Sequence, residues 1–113
     1  MVARNELLIL DWEGFVIEQA IGELTSRGRD FNAYYLRTSD QHEIDLVLDF
    51  GHERWAVEVK LTAAPGPDDL ASLGKAAEII GATKQVLVSQ TSHPAGNDVR
   101  ASLDLPSFLD WLP

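Results

Sequence analysis

The sequence predicts a single α/β domain in which helices pack against a mixed β-sheet. Apolar residues recur at helical spacing in some segments and alternate with polar residues, or run together, in others. The predicted order is helix, three strands, helix, strand, and then a short strand and a last helix. A meander of hairpins followed by a helix and a strand implies a mixed sheet with helices against it. At 113 residues the chain is long enough for one core.

The first helix is predicted over residues 11–26, and Gly28 ends it. Its apolar residues fall on one arc when they are placed at 100° per residue: Val16, Ile17, Ala20, Ile21 and Leu24. Glu13 falls in the middle of this arc. A carboxylate on an apolar face is costly without a partner, so we expect Glu13 to point toward the sheet and to be paired there.

Three strands are predicted next, over residues 33–38, 43–50 and 55–62. Alternation in the second strand places two sets on opposite faces: Ile44, Leu46, Leu48 and Phe50 on one, and Glu43, Asp45, Val47 and Asp49 on the other. The third strand divides in the same way: Trp55, Val57, Val59 and Leu61 on one face, and Ala56, Glu58, Lys60 and Thr62 on the other.

Matching the apolar faces of the second and third strands leaves two registers. A two-residue loop at 51–52 places Asp45 opposite Glu58, whereas a four-residue loop at 51–54 places Asp45 opposite Lys60. Directly opposed side chains have Cβ atoms about 5 Å apart. Either register therefore brings Asp45 close to Glu58 and Lys60.

The second half of the chain continues with a helix from Pro67 that Gly81 ends. Residues 84–89 are nearly all apolar, which is typical of a central strand covered on both faces. Residues 90–98 are predicted as a loop and residues 99–103 as an edge strand. A last helix is predicted to start at Pro106 and to dock its apolar side chains on the core.

Two carboxylates and an ammonium on one side of a hairpin are the groups needed to hold a divalent metal beside a water. Mg²⁺ or Mn²⁺ takes oxygen ligands, often one or two carboxylates, so Asp45 and Glu58 are the predicted ligands and the Val59 carbonyl is a possible third. Lys60 would orient the water or offset charge in the transition state. Glu13 would be an outer ligand, a second-metal ligand or a partner for Lys60. The alternative is a cross-strand ion pair on a solvated face.

Three other residue types could contribute to a site. Arg37 and Gln85 lie on predicted strands and could reach a phosphate. The alternatives are an ion pair with a neighbouring acid for Arg37 and an ordinary strand-end polar side chain for Gln85. The three histidines fall in predicted loops without ligand spacing and are predicted to lie at the surface.

Composition limits the classes of function. The net charge is −9, from 18 acidic and 9 basic residues, which opposes free-standing binding of nucleic acid. A nucleic-acid substrate would then need a partner domain to supply positive charge. With no cysteine, neither disulfides nor thiolate metal sites are possible. No membrane span or secretory signal is predicted, and we expect a cytoplasmic protein.

The order of elements, with Asp45 followed by Glu58-Val59-Lys60 and a helical Glu13, resembles the PD-(D/E)XK nuclease superfamily. This resemblance implies a restriction-endonuclease-like core over about residues 10–90, with a C-terminal strand and helix at about 99–112, all in one domain. It also implies cleavage of DNA or RNA with Mg²⁺, with Asp45 and Glu58 as ligands and Lys60 beside the water. The proline that names the motif is replaced by Ile44.

A closer resemblance is to the C-terminal domain of unknown function that follows the ATPase module in many prokaryotic AAA-type ATPases. The segments that carry it are WEGFV at 12–16, YLRT at 35–38, EIDLV at 43–47, AVEVKL at 56–61 and FLDWL at 108–112. This resemblance leaves two further hypotheses open. The chain could be a non-catalytic accessory module that keeps the nuclease fold. It could also be a remnant that pairs with itself or with an ATPase through Trp12, Phe15 and Trp111.

Overall fold

A computed structural model describes residues 12–37 and 42–113. Within these residues the chain forms three helices and six strands, in the order α1 (Trp12–Ser26), β1 (Asn32–Arg37), β2 (Glu43–Asp49), β3 (Arg54–Val59), α2 (Pro67–Ile80), β4 (Lys84–Val88), β5 (Ala95–Gly96), β6 (Arg100–Leu103) and α3 (Leu105–Trp111). Asp11, where the first helix is predicted to start, lies outside the described residues, and so does Thr38, where the first strand is predicted to end. No helix in the described part of the chain has the length and apolar character that a bilayer crossing requires.

The strands form one mixed sheet in the order β1-β2-β3-β4-β6-β5. The β1–β2 and β2–β3 pairs are antiparallel, whereas β4 pairs in parallel with both β3 and β6. The predicted mixed sheet with flanking helices is confirmed. The predicted edge position of residues 99–103 is wrong, because the two-residue strand β5, within the segment predicted as a loop, pairs antiparallel with β6 and takes the edge.

Each face of the sheet is covered by helices, and this produces two cores. On the first face, α1 and α3 bury a cluster with the sheet that includes Val16, Ala20, Leu24, Leu46, Leu48, Trp55, Val57, Val86 and Phe108. On the second face, α2 buries a smaller cluster that consists of Ile44, Val47, Ala56, Leu73, Ala76, Ala77 and Leu87. The predicted apolar arc of α1 is confirmed in part, because Val16, Ala20 and Leu24 are fully buried, whereas Ile17 and Ile21 are half-buried and Glu13 is exposed.

A tight turn fixes the register of β2 against β3. Leu46 lies opposite Val57, and the Phe50 N–H donates to the Glu53 carbonyl at 2.9 Å, which closes a two-residue loop at 51–52. Gly51 has φ +92°, a conformation that favours glycine. The first of the two predicted registers is therefore the one that forms, and its pairs run from Asp49 opposite Arg54 to Leu46 opposite Val57.

A β-bulge in β2 corrects the predicted faces of that strand. Tyr34 pairs with Val47 but Leu36 pairs with Ile44, so β2 has one residue more than β1 in this interval. An extra residue inverts the alternation beyond it. Ile44 therefore packs on the α2 face, whereas Leu46 packs on the α1 face, and the predicted sharing of one face by these residues is wrong.

The last helix starts one residue before the predicted Pro106, because Asp104 is its N-cap. The Asp104 carboxylate accepts a hydrogen bond from the Ser107 N–H at 3.0 Å. Arg27, just after α1, donates to the Leu112 carbonyl at 2.7 Å and to the Leu109 carbonyl at 3.0 Å. The guanidinium thus satisfies carbonyls at the end of α3 and ties that helix to α1.

Candidate active site

Strands β2 and β3 separate at one end of the sheet and leave a notch there. Their ladder stops at Leu46 opposite Val57. Beyond this pair β2 stays with β1 as far as Glu43, and β3 stays with β4, where the Lys60 N–H donates to the Val88 carbonyl at 2.9 Å. The bulge in β2 lies at the point of separation. The notch therefore opens between two strands that are each held firmly on their other side.

The Asp45 carboxylate bridges this notch. The Val59 N–H, which faces β2, donates to Asp45 Oδ2 at 2.8 Å instead of to a backbone carbonyl. The bond fixes the position of the carboxylate and satisfies a backbone donor that the separation of the strands leaves without a ladder partner. Because the N–H and carbonyl of one residue in a strand point to the same side, the Val59 carbonyl also faces the notch.

Glu58 lies beside Asp45, and the two carboxyl groups are in direct hydrogen-bonding contact. Burial raises the pKa of Glu58, and the hydrogen bond and negative charge of Asp45 raise it further, to about 9. The positive charge of Lys60 opposes this rise in pKa, whereas Glu13 adds to it. Burial and Asp45 therefore favour the protonated form of Glu58 over a wider pH range than in an exposed glutamate.

Lys60 and Glu13 complete the group of charged side chains around the notch. Lys60 is exposed just after β3, close enough to act on the Glu58 carboxyl electrostatically. Glu13, in the first turn of α1, lines with Asp45 a cavity of about 100 Å³. The structure thus brings together Asp45, Glu58, Lys60 and Glu13, the four side chains that the sequence singles out, and Glu13 does face this end of the sheet.

The predicted phosphate contacts separate into one residue near the site and one away from it. Arg37 lines the same cavity as Asp45, and its Nε lies 3.1 Å from Glu43 Oε1, which is the ion pair given as the alternative for this residue. Gln85 is buried opposite Ala56, two residues before the level of Glu58, and its Oε1 accepts from Arg100 Nε at 3.1 Å. Gln85 therefore supports Arg100 and does not face the notch.

Tyr35 is a site residue that the sequence analysis overlooked. It lies two residues before Arg37 on β1, lines the cavity with Glu13 and Asp45, and is 73% exposed. The signal in the sequence is its spacing, because alternate residues of a strand share a face.

The donor set at the notch consists of oxygen atoms, which a hard divalent cation prefers. Among the residues that the structure describes, no group of three or more His, Asp or Glu side chains is placed to hold a metal ion. Two carboxylates and one carbonyl at the notch nevertheless match what Mg²⁺ commonly takes from a protein, since water and substrate phosphate supply its remaining ligands. A cation can also take the place of the proton that burial and Asp45 favour on Glu58.

A larger cavity lies elsewhere in the described part of the chain. It measures about 490 Å³ and is formed by the β5–β6 hairpin and α3, with Trp111 and Asp110 on its wall. Of the three aromatic residues considered as partner contacts, Trp111 packs on Trp55 with ring centres 4.9 Å apart. Trp12 is half-buried and stacks at 6.1 Å on Phe15, which is 42% exposed.

Comparisons with known proteins agree with the second resemblance in part. Two relatives, the uncharacterized protein Mb2031c of Mycobacterium bovis and the uncharacterized protein Rv2008c of Mycobacterium tuberculosis, are each 36% identical over 62 residues. The match covers 55% of this chain but 13% of each relative, so the chain corresponds to a small part of those proteins. No solved structure matches significantly. The family described as domain of unknown function DUF4143 matches residues 11–108, and the chain belongs to that family.

Proposed function

We propose that this domain is a metal-dependent nuclease of the PD-(D/E)XK type that hydrolyses phosphodiester bonds in nucleic acid. The observation that carries the proposal is the contact between the Asp45 and Glu58 carboxyl groups at the notch, with Lys60 two residues further along β3. A restriction-endonuclease-like core is part of the proposal. The order helix, three strands, helix, strand supports it.

The roles of the residues follow from their positions. Asp45 and Glu58, with the Val59 carbonyl, would hold Mg²⁺ or Mn²⁺, and the bound cation would lower the pKa of a water and offset charge on the phosphate. The Val59 N–H keeps Asp45 oriented toward the notch. Glu58 would be ionised as a ligand, because the charge of the cation would lower its pKa. Lys60 donates to the water or to the phosphate, and Glu13 adds a further carboxylate at the rim.

A surface ion pair accounts for the cluster less well. Such a pair leaves both partners in water and contributes little to stability. Here two acids contact each other, and burial raises the pKa of one of them. Neighbouring Val47 and Ala56 are fully buried under α2, whereas Lys60 is exposed. Placing two acids together opposes folding, because either one keeps a proton or the two carboxylates repel each other, and a site for a cation gives that arrangement a use.

Nuclease assays of the purified chain test the proposal. Single- and double-stranded DNA and RNA are incubated with the protein, with Mg²⁺ or Mn²⁺ and with EDTA. We expect cleavage that requires the metal and that is lost in Glu58→Ala and Lys60→Ala. Lys75→Ala, which removes an exposed lysine on α2, is the matched control and should remain active. Full activity of Lys60→Ala or Glu58→Ala would overturn the catalytic assignment.

A second candidate is a non-catalytic accessory or interaction module of a longer protein, an AAA-type ATPase by the resemblance. The observation that favours it is that the chain covers 13% of the two mycobacterial relatives, together with a net charge of −9. Exposed Phe15, beside Trp12, would then be part of the contact surface. Calorimetry separates the candidates, because an accessory module has no reason to bind millimolar Mn²⁺ through Asp45. Light scattering that shows a clean monomer would weaken self-pairing.

A further inference from the structure

We propose that the nuclease site acts on unpaired nucleic acid, and that the Tyr35 ring stacks on a base next to the phosphate at the notch. This inference rests on the proposed function, because Tyr35 would meet a nucleotide only if the strand passes over Asp45. It adds a class of substrate, single strands or unpaired ends, that the carboxylates by themselves do not select. It also assigns a positioning role to a residue of β1.

The position of Tyr35 is the first part of the argument. Tyr35 lines the cavity that Asp45 and Glu13 also line, so its ring stands at the edge of the candidate site. The side chain is 73% exposed, and the fold therefore gains little from burying it. Tyr34, the preceding residue in β1, is 41% exposed and belongs to the opposite face of the strand. Its pairing partner Val47 is buried on that face.

The charge around the site is the second part. Asp45, Glu58, Glu13 and Glu43 are all acidic, and Arg37 beside Tyr35 is already paired with Glu43. Lys and Arg that replace counterions on the phosphates contribute to the binding of single strands and of duplexes, but less per contact for single strands than for a duplex. Stacking of a base on an aromatic ring does not depend on charge, and it is sequence-tolerant. An acidic site with an exposed aromatic ring therefore favours a substrate whose base faces are open.

The geometry of nucleic acids favours single strands over duplexes as partners of the Tyr35 ring. In a duplex each base is stacked between its neighbours, so a ring at the surface of the protein cannot reach its face without unstacking it. In a single strand the faces are free, and aromatic rings are the common platforms for them. The hydroxyl of Tyr35 is not required for stacking, so phenylalanine should replace it. DNA and RNA share the base face and differ in the 2′-hydroxyl.

Binding measured without cleavage tests the inference. Fluorescence anisotropy is recorded in EDTA with a labelled single-stranded DNA 12-mer, its duplex, an abasic 12-mer and the RNA 12-mer. We expect the single strand to bind more tightly than the duplex and the abasic strand. Tyr35→Ala should weaken single-strand binding by about 5- to 100-fold, the equivalent of one lost stacked base. Tyr35→Phe should retain binding within about twofold, since the ring is kept.

The controls separate this inference from the proposed function. Tyr34→Ala removes a neighbouring tyrosine on the other face and should leave binding unchanged. Equal or tighter binding of the duplex, unchanged binding of Tyr35→Ala, or no binding of any strand by the wild-type chain overturns the inference. Because the binding assay is run in EDTA and needs no cleavage, single-strand binding that depends on Tyr35, together with no cleavage in the Mg²⁺ or Mn²⁺ assay, would overturn the proposed function alone. If the wild type cleaves duplex and Tyr35→Ala cleaves it equally well, the inference alone would be overturned.

Discussion

Replacing Glu58 with glutamine should stabilise the protein relative to the wild type, by an amount that grows as pH rises. In the folded chain burial and the contact with Asp45 raise the pKa of Glu58 to about 9, from an ordinary value of 4.5. Between these two values the folded state keeps a proton that the unfolded chain releases. Linkage then requires the free energy of unfolding to fall as pH increases through this window. Glutamine keeps the shape of the protonated acid and cannot titrate, so it removes that loss.

The magnitude can be bounded from the structure. A shift from 4.5 to about 9 would correspond to about 6 kcal/mol at 1.36 kcal/mol per pH unit. Glu58 is only half-buried, and water screens most of that difference. We therefore expect Glu58→Gln to gain about 1–2 kcal/mol over the wild type between pH 5 and pH 8. In a domain of this size each kcal/mol corresponds to about 4–8 °C in Tm.

Urea unfolding followed by tryptophan fluorescence at pH 5, 6, 7 and 8 measures this difference. Glu78→Gln is the matched control, because it removes the same charge from an exposed position on α2. This control also accounts for the general repulsion within a chain of net charge −9. If the gap between Glu58→Gln and the wild type stays constant from pH 5 to pH 8, or follows the gap of the control, the reasoning about the carboxyl pair is refuted.

Three further predictions concern stability, and urea unfolding measures each of them. Asp45→Ala leaves the Val59 N–H without its acceptor and should lower the free energy of unfolding by about 1–3 kcal/mol. Asp45→Asn keeps an acceptor oxygen and should cost less, so equal losses in the two variants would contradict this account. Gly96→Ala would bring a Cβ into the β6 backbone at Ala101, at φ +145°, and should cost about 1–3 kcal/mol. Gly22→Ala meets nothing within 4 Å in α1 and should instead stabilise by about 0.5–1 kcal/mol; a loss there, or none at Gly96, would refute the packing argument. Asp104→Ala removes the N-cap of α3 and should cost about 0.5–2 kcal/mol, most of which Asp104→Asn restores; an asparagine variant as unstable as alanine would contradict the cap.

The parts of the fold that the sequence predicts well are those where one local pattern dominates. The bounds of α2 follow from Pro67 at its start and Gly81 after its end, and both hold. The strand at 84–88 follows from a continuous apolar run, and it is central and buried. The register of β2 on β3 was limited to two choices by alternation, and the tight turn at Gly51 selected between them.

The parts that it does not predict depend on distant contacts. Alternation through Ile44 and Leu46 is unbroken in the sequence, so nothing local reveals the bulge that sends Ile44 to the α2 face. Strand β5 has two residues and exists because β6 pairs with it, which no propensity indicates. The candidate site was predictable in its members because both allowed registers placed Asp45 beside Glu58. The hydrogen bond from the Val59 N–H to the Asp45 carboxylate, which replaces a backbone bond of the ladder, was not predictable.

Titration of the protein with Mn²⁺ in a calorimeter at pH 7.5 tests the central claim most directly. We expect one ion per chain, with release of protons, because the cation favours the ionised form of Glu58, whose pKa burial and Asp45 raise. The proton count comes from repeating the titration in buffers of different ionisation enthalpy. Binding should disappear in Asp45→Ala and Glu58→Ala and persist in Glu78→Ala. No binding at millimolar Mn²⁺, or binding that survives both site substitutions, would contradict the claim that these two carboxyl groups hold a cation.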